Sequence, residues 1–341
     1  MSYEHRVVEQ WQNLPVGDMQ SLRHLITQEQ SKWLPGLQLN LGFLKEMGAT
    51  SFFLEKWQNG WDTINLGFQP FEMKNHPSVA SCAERCFKER QRLEKLGKIE
   101  FFPEGEPKPA RLHVSPSAAV ITQKHGVDPE AEWELRTKLR LILDLKKGQV
   151  NKSCIYHEVN FGSVDKAIAM MRRNDWLFVI DFADFFFNWR VRDQDAWHLG
   201  FYDEFSGRYG RYLYAVFGLS PSPGVADAGL KEILRLLKMH EDIDLVDWVD
   251  DCIGSGGSEA EAWDRMVRAI RFFLKAGMPV SIKPAGLVAP AQVQTWTGWV
   301  FDTVHCTVSV PEEKRLKALN RIRGTLQADK DGCLKVKVFA Q

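Results

Sequence analysis

Two adjacent aspartates, Asp250 and Asp251, lie between short apolar runs, and a third, Asp181, directly follows another apolar run upstream. Ionised carboxylates at the ends of buried strands are costly unless a counter-charge compensates them. Three such groups together are typical of a divalent-cation site, and two Mg²⁺ ions held by shared aspartates catalyse phosphoryl transfer. An Asp pair alone is also common in solvated turns, so the interpretation depends on the surrounding elements.

The elements that must position these carboxylates follow one another in a regular order. In sequence they are a strand over 176–181, a loop over 218–223, a helix over 225–237, a hairpin over 243–254, a helix over 258–276 and a strand over 280–282. This β-α-β-β-α-β order predicts an α+β fold with a ferredoxin-like split sheet and helices on one face. Such a sheet places the end of its first strand beside the turn of its central hairpin, so Asp181 should lie next to Asp250 and Asp251.

The residues before 176 divide into an aromatic-rich first part and a better patterned second part. Residues 1–75 are rich in tryptophan and weakly periodic, and we expect them to pack by their tryptophans. A helical pattern follows over 77–96. The segment 103–109 (PEGEPKP) predicts a turn, and beyond it two strands are predicted over 118–121 and 139–144, joined by a charged loop.

Composition narrows the compartment and the class of partner only a little. The 44 Lys and Arg balance the 44 Asp and Glu, and zero net charge neither supports nor excludes nucleic-acid binding, because acidic patches can offset a basic groove. The six cysteines show no zinc-ligand spacing, which favours reduced thiols and an intracellular protein of the nucleus or cytoplasm. The N-terminus lacks a secretory apolar segment, and Asp181 and Asp184 interrupt the most apolar stretch, so no membrane partner is expected.

Taken in order, the segments around the aspartates resemble the palm motifs of reverse transcriptases. The matching segments are Asp181–Phe186 for the first motif, Phe217–Pro223 for the second, Trp248–Asp251 for the YxDD box, Gly277–Lys283 for the fourth and Trp296–Asp302 for the primer-grip hairpin. Each segment is a weak signal by itself, whereas the set in this order is specific. The resemblance runs from Lys56 to the C-terminus and implies a right-hand polymerase with fingers, a ferredoxin-like palm sheet and a partial thumb.

Residues upstream of the palm motifs match the fingers pattern of the same family. They are Ser115, Pro116, Lys124, Lys138, Arg140, Asp144 and Asn151. In that pattern an Arg, an Asp four residues on and an Asn shortly afterwards bracket the incoming nucleotide. The most similar variety is the reverse transcriptase of DIRS-type (tyrosine-recombinase) retrotransposons, which shares the segments Gly67–Phe71 and Pro311–Lys314.

The chain departs from the family pattern at three positions, none of which is a metal ligand. Trp248 replaces the Tyr of the YxDD box, Val216 replaces the usual Pro of the second motif, and Asn151 lies two residues further from Asp144 than in retroviral enzymes. Residues 335–339 look like the start of a thumb helix, and no RNase H or recombinase portion is present. These features indicate either a domain cut from a polyprotein or a shortened, repurposed descendant.

The resemblance implies two-metal catalysis at the three aspartates. Asp181 and Asp250 would bridge two Mg²⁺ ions about 3.5–4 Å apart, with Mn²⁺ as an alternative metal. Asp251 would assist, and the carbonyl of Phe182 would bind the nucleotide-side ion. One ion would lower the pKa of the primer 3′-hydroxyl, and the other would neutralise the leaving pyrophosphate.

Further residues are implied in nucleotide binding, and each has an ordinary structural alternative. Arg140 and Lys138 would hold the triphosphate, although a solvated strand edge also explains them. Phe186 would be the aromatic that excludes a 2′-hydroxyl, or else a core ring. Gly218 would let the backbone approach the templating pair. Lys283 would act as a general acid toward pyrophosphate, or else is a surface lysine.

Contacts with nucleic acid are implied for the primer-grip hairpin and for the basic stretch that follows it. The residues concerned are Trp296, Gly298, Trp299, Lys314 and Arg315, and Lys317, Arg321 and Arg323 extend the basic stretch. A helical run of this kind would follow a duplex backbone. A solvated helix face explains the same charges.

The resemblance also implies a division of the chain and an activity. The expected parts are an aromatic-rich N-terminal extension (1–95), fingers (96–175), a palm with the catalytic carboxylates (176–292), a primer-grip-like hairpin (293–310) and the start of a truncated thumb (311–341). The expected activity is template-directed DNA synthesis from dNTP and a primer on an RNA or DNA template, with a protein or polyprotein segment completing the thumb.

The alternative function is that of a catalytically silent protein with the same fold, serving as a structural subunit of a ribonucleoprotein or another assembly. The three intact aspartates favour the enzyme, because a scaffold has no reason to keep crowded carboxylates. The zero net charge and Trp248 favour the scaffold.

Overall fold

A computed structural model of the protein describes residues 10–32, 39–65, 69–123, 132–283 and 286–328. The features expected at Trp33, Gly67, Phe68, Lys124 and 335–339 lie outside these residues. Within them, helices alternate with small antiparallel sheets, which confirms the α+β class. None of the described helices is both long enough and apolar enough to cross a bilayer.

The helices and strands have the following bounds. The helices are α1 (Met19–Ser31), α2 (Leu41–Glu46), α3 (Ser51–Asn59), α4 (Pro77–Ala80), α5 (Ala83–Lys95), α6 (Trp133–Arg136), α7 (Val164–Met170), α8 (Asp193–Ala196), α9 (Ser222–Glu241), α10 (Glu259–Lys275) and α11 (Glu312–Ala328). The strands are β1 (Ile99–Phe101), β2 (Ser117–Gln123), β3 (Thr137–Leu143), β4 (Trp176–Asp181), β5 (Gly200–Asp203), β6 (Arg208–Tyr212), β7 (Val246–Trp248), β8 (Asp251–Gly256), β9 (Val293–Trp296), β10 (Trp299–Asp302) and β11 (Thr307–Ser309). Short 3-10 turns occupy Val150–Ser153 and Phe185–Asn188.

The sheet that carries the aspartates has the strand order β4-β8-β7, with both pairs antiparallel. The prediction of a regular strand over 280–282 is wrong, because this segment and the residues after it meet β4 only at isolated bridges. The bridged pairs are Phe182 with Val280, Ile180 with Leu287 and Leu177 with Ala291. Pro279, directly before Val280, has no N–H to donate to a ladder. The segment nevertheless lies beside β4, the place of the last strand in the predicted β-α-β-β-α-β order.

Helix α1 covers the outer edge of that bridged segment. The Gln30 side chain donates to the Val280 carbonyl at 3.2 Å and accepts the Val280 N–H at 3.0 Å. The Arg23 guanidinium donates to the Leu287 carbonyl at 2.7 Å. An amide side chain and a guanidinium thus take the hydrogen bonds that a further strand would have made, and the edge is closed against other strands.

The two faces of the central sheet are buried by different elements. Alternate side chains of β4 point to opposite faces, so Phe178 and Ile180 join the cluster formed with α9 and α10. Helix α10 begins where the Ser258 hydroxyl accepts the Glu261 N–H, a standard N-cap. Leu177 faces the other way and packs with the β9–β10 hairpin.

The N-terminal part belongs to the main hydrophobic core. Trp11, Trp57 and Trp61 are buried in the same cluster as the sheet and its helices. This confirms the expectation that the N-terminal residues pack by their tryptophans. A second hydrophobic cluster forms around the β1-β6-β5 sheet and includes Leu143 of β3.

The remaining predicted elements are confirmed with small changes. The helix expected over 77–96 is divided into α4 and α5, because Cys82 leaves the helical conformation between them. The two strands expected upstream pair with each other as β2 and β3.

Candidate active site

The three aspartates meet where β4 ends and β8 begins. Asp181 is the register partner of Asp251, and the Phe182 N–H donates to the Asp250 carbonyl at 2.8 Å. One carboxylate oxygen from each of the three aspartates lies within 4.8 Å of the others. The predicted juxtaposition is therefore confirmed, and the group offers the all-oxygen ligand set that Mg²⁺ prefers.

A tight, strained turn presents the central aspartate. Because Trp248 pairs with Asp251, the turn between β7 and β8 consists of Val249 and Asp250. Val249 has a φ of +55°, in the left-handed region that costs an L-residue roughly 1–2 kcal/mol and is rarer still for a β-branched one. The turn leaves Asp250 exposed to the cleft, whereas Asp181 is half-buried.

Burial raises the pKa of all three carboxyl groups, and neighbouring negative charge adds to the effect at Asp181 and Asp251. Burial is the largest cause at Asp181 and, although the residue as a whole is exposed, also at the Asp250 carboxyl group. At Asp251 burial is joined by the negative charges of Asp250 and Asp181, and its pKa rises to about 7. Positive charge nearby therefore falls short of what three ionised carboxylates need, and a divalent cation would supply it.

A cleft of about 470 Å³ opens beside the aspartates. Its lining includes Asp181 and Asp250, the aromatic turn after β4, and residues of α5 and β3. Lys138 and Arg140 project into the cleft from β3, and Lys283 lies on the segment that follows α10. The structure thus brings Asp181 and Asp250 to the same cavity as the predicted triphosphate ligands Lys138 and Arg140, while Asp251 lies beside the two other aspartates outside the lining.

The basic side of this cleft is crowded with like charges. Burial, followed by the charges of Arg140 and Lys283, lowers the pKa of Lys138, and Asp181 and Asp250 offset this only in part. Three cations this close together form a place for an anion, and a triphosphate has the matching charge.

Phe186 lines the cleft from the 3-10 turn after β4. It is 9% exposed and meets Phe217 edge-on, with ring centroids 5.0 Å apart. The ring is packed in the core, as the structural alternative expected, and it also borders the cavity. Its role toward a sugar remains a prediction.

Gly218 and the nearby fingers residues are engaged in packing within the chain. Gly218 has a φ of +103°, and a Cβ there would overlap the Leu143 carbonyl. The close backbone contact that requires a glycine at this position is therefore with Leu143 of the same chain. The Asn151 amide donates to the Gly218 carbonyl at 2.8 Å and accepts the Ser220 N–H at 3.0 Å. Asp144 accepts the Lys147 N–H at 2.9 Å and pairs with a histidine. Asn151 thus holds the loop at Gly218 in place, and Asp144 holds the turn that follows β3.

The predicted nucleic-acid contacts on the β9–β10 hairpin include one buried and one exposed tryptophan. The Trp296 side chain is 1% exposed and packs with Phe301 against the central sheet. It therefore belongs to the core and does not offer a surface for nucleic acid. Thr297 and Gly298 both have positive φ and form a two-residue turn. Trp299, by contrast, is 40% exposed.

Helix α11 follows the hairpin and is exposed along its described side chains. Lys314 lies so close to Gly298 that a Cβ at that glycine would collide with the lysine Nζ. Arg315 pairs with Glu312, and Lys317 pairs with Glu313. Surface pairs of this kind are weak, so both cations remain available to an anionic partner.

Two features of the cleft were missed by the sequence argument. A Cβ at Gly286 would lie 2.6 Å from Asp181 Oδ2, so this glycine makes room for one of the three clustered carboxylates. Asp184 pairs with Arg92 of α5 at 2.7 Å. Asp184 lies in the segment that resembles the first palm motif and could have been suspected, whereas nothing in the sequence around Arg92 or Gly286 marks either residue.

Comparison with known proteins shows the fold. No family model and no curated protein matches the chain. The foamy viral protease-reverse transcriptase bound to double-stranded DNA is similar in structure, with a TM-score of 0.54 and 17% identity over 82% of this chain and 48% of that one. The same viral protein bound to an RNA/DNA hybrid gives a TM-score of 0.56 and 17% identity over 82% and 37%. The chain therefore spans less than half the length of these proteins, and its fold is reverse-transcriptase-like.

Proposed function

We propose that this protein is a reverse transcriptase that extends a primer on an RNA or DNA template by two-metal phosphoryl transfer from dNTP. The observation that carries the proposal is the convergence of Asp181, Asp250 and Asp251 beside a cleft that is also lined by Lys138, Arg140 and Lys283. The two foamy viral structures, in complex with double-stranded DNA and with an RNA/DNA hybrid, support nucleic acid as the partner.

The residues present fit the metal that this chemistry requires. Asp181 and Asp250 would hold Mg²⁺, or Mn²⁺, with help from Asp251 and the Phe182 carbonyl. Bound metal supplies Lewis-acid activation of the primer 3′-hydroxyl and neutralises charge at the leaving pyrophosphate. The raised pKa values of the carboxyl groups support this assignment, because they mark a site short of positive charge.

The charged side chains of the cleft suit a triphosphate that arrives with its metal. The lining carries four carboxylates and four cations, so it is neutral before a ligand binds; they are Glu89, Asp181, Asp184 and Asp250 with Arg92, Lys138, Arg140 and Lys283. In our proposal Arg140 grips phosphate as a fork, Lys138 acts as a point charge, and Lys283 protonates the departing pyrophosphate.

The rest of the proposed assembly follows the same division of the chain. Phe186 excludes a 2′-hydroxyl, the loop at Gly218 borders the templating pair, and Gly298, Trp299, Lys314 and Arg315 contact the primer-template. A protein or polyprotein segment that completes the thumb is a further proposed partner, and retrotransposons of DIRS type are the proposed source. Cys82, Cys86, Cys154, Cys252 and Cys306 are free thiols, which supports an intracellular setting.

Mg²⁺-dependent stabilisation by substrate tests this function against the scaffold alternative. We expect Mg²⁺, a primer-template and the complementary dNTP together to raise Tm more than any two of them, because ligands that bind only the folded state stabilise it by mass action. The measurement is thermal unfolding with the complementary and then a non-complementary dNTP. Equal Tm with both nucleotides and no primer extension would favour the scaffold.

Salt dependence tests the proposed contact of α11 with nucleic acid. Reversing the charges of Lys314 and Arg315 should lower the slope of log K against log[salt] by about one to two units, since each lost phosphate contact removes roughly 0.9. The effect should be the same for any base sequence, because backbone contacts carry no sequence information. The slope is measured on a heteroduplex.

The control for this experiment is charge reversal of Lys275, an exposed lysine at the end of α10. It changes the net charge of the protein without touching the hairpin or α11. A double variant whose slope equals that of the parent would remove α11 from the nucleic-acid surface.

A further inference from the structure

A forked ion pair in the lining of the cleft joins α5 to the turn after β4. The two terminal nitrogens of Arg92 donate to the Asp184 carboxylate at 2.7 and 2.9 Å. The same guanidinium donates to both carboxylate oxygens of Glu89 at 3.0 and 2.8 Å. Opposed bidentate contacts fix the guanidinium in plane, and charge-assisted pairs of this geometry are the strong and specific ones. The proposed reaction assigns no role to this group.

Asp184 sets the start of the 3-10 turn that carries Phe186. Its φ is +50°, in the left-handed region, and its carbonyl accepts the Phe187 N–H at 2.8 Å. The Asn188 side chain closes the turn by donating to the carbonyls of Ala183, Asp184 and Phe185 at 3.3, 3.4 and 3.2 Å. The direction in which the Phe186 ring leaves the backbone therefore depends on how Asp184 is held.

The Phe186 ring has support from two sides. Phe217 meets it edge-on, and Phe185 lies beside it with ring centroids 5.8 Å apart. Phe185 belongs to the same turn, so the turn fixes both rings together. Arg92 ties this turn to α5, an element from a distant part of the chain.

We infer that Arg92 is a positioning residue for nucleotide selection, which holds Phe186 through Asp184 at the point where a 2′-hydroxyl would enter the cleft. The inference rests on the proposed function and names a determinant of its sugar specificity. A lysine at position 92 would keep the charge but lose the fork, because its ammonium is a single point donor group without planar geometry. Selection should therefore follow the geometry of the pair and not its charge.

Steady-state kinetics on a primer-template test the inference. We expect Arg92→Lys and Asp184→Asn each to reduce the ratio of kcat/KM for dNTP to that for rNTP by about tenfold, with the double variant no lower than either single one, because the two residues act as a unit. The matched control is Lys88→Gln, which breaks the exposed pair with Glu84 on the same helix. A ratio unchanged by Arg92→Lys would overturn the inference.

A measurement on the substrate-free protein separates this inference from the proposed function. A fluorinated phenylalanine at position 186 alone reports the ring by ¹⁹F NMR. We expect its resonance to shift or broaden in Arg92→Lys and to stay unchanged in Lys88→Gln. If the parent protein extended no primer but the resonance still moved in Arg92→Lys, the polymerase function would be refuted and the positioning of the ring by Arg92 would stand. An unmoved resonance would refute the positioning whatever the activity.

Discussion

Replacing Asp250 with Asn should abolish dNTP incorporation while leaving the metal-free protein as stable as the parent or more so. The substitution removes a proposed metal ligand, and it also removes one of three crowded charges whose oxygens lie within 4.8 Å of one another. Burial and then the Asp250 charge raise the pKa of Asp251 from its ordinary 3.8 to about 7. Primer extension and thermal unfolding in EDTA are the two measurements.

The raised pKa of Asp251 determines how the stability of the metal-free protein changes with pH. In the unfolded chain Asp251 ionises near 3.8, whereas in the folded metal-free protein it holds its proton up to about pH 7. The folded state therefore binds more protons between these values, and its free energy of unfolding falls as the pH rises through that window. Asp250→Asn should make this fall smaller, because the neighbouring charge is gone.

The control is Asp244→Asn, which removes an exposed carboxylate that pairs with Lys238 shortly before β7. It should leave incorporation unchanged. A large drop in the apo Tm of the Asp250 variant would instead identify a structural turn residue, and full incorporation by that variant would remove Asp250 from the metal site.

Replacing Phe186 with Val should admit ribonucleotides about a hundredfold better relative to dNTP, the scale on which shape-selective pockets discriminate. The ring borders the cleft beside the aspartates, so its loss opens room for a 2′-hydroxyl. Use of dNTP should fall only modestly, because the metal ligands and the basic residues stay in place. The ratio of kcat/KM for rNTP and dNTP is the measurement.

Phe178→Val is the control for lost aromatic volume. Phe178 lies on β4 and is fully buried on the helix-covered face of the sheet. Its truncation should lower the free energy of unfolding by a few kcal/mol, as removal of a buried ring does, without changing sugar discrimination. If the Phe186 variant lost stability in the same way and selected sugars as the parent does, the ring would be core only.

The sequence was sufficient for the arrangement of the three aspartates. An apolar run ending in Asp181 and a hairpin with Asp250 at its turn fix which strand ends meet, because side-chain alternation and antiparallel pairing leave little freedom. The β2–β3 pair could be predicted for the same reason. Local pattern carries this information, and the pattern here is strong.

Contacts between distant segments could not be predicted from local sequence pattern. Gly286 has an ordinary φ, so its need for a missing Cβ is visible only once Asp181 lies beside it. Trp296 was expected on a nucleic-acid surface, but its strand packs against β4. The Trp296 side chain lies on the face of the hairpin that this packing buries. Arg92 finds Asp184 across 92 positions of sequence, a pairing that no spacing rule predicts.

The contacts of α1 with the segment after α10 also determine when the molecule can finish folding. Gln30 and Val280 are 250 positions apart, and Arg23 and Leu287 are 264 apart. Closing so long a loop costs chain entropy before any contact compensates it, and folds rich in such contacts form slowly. During synthesis α1 must wait, with the apolar side chains that it will bury still in water, until nearly all the described chain has been made. The segment beside β4, the strand that ends in Asp181, is therefore completed among the last parts of the fold, although the helix that secures it is among the first parts translated.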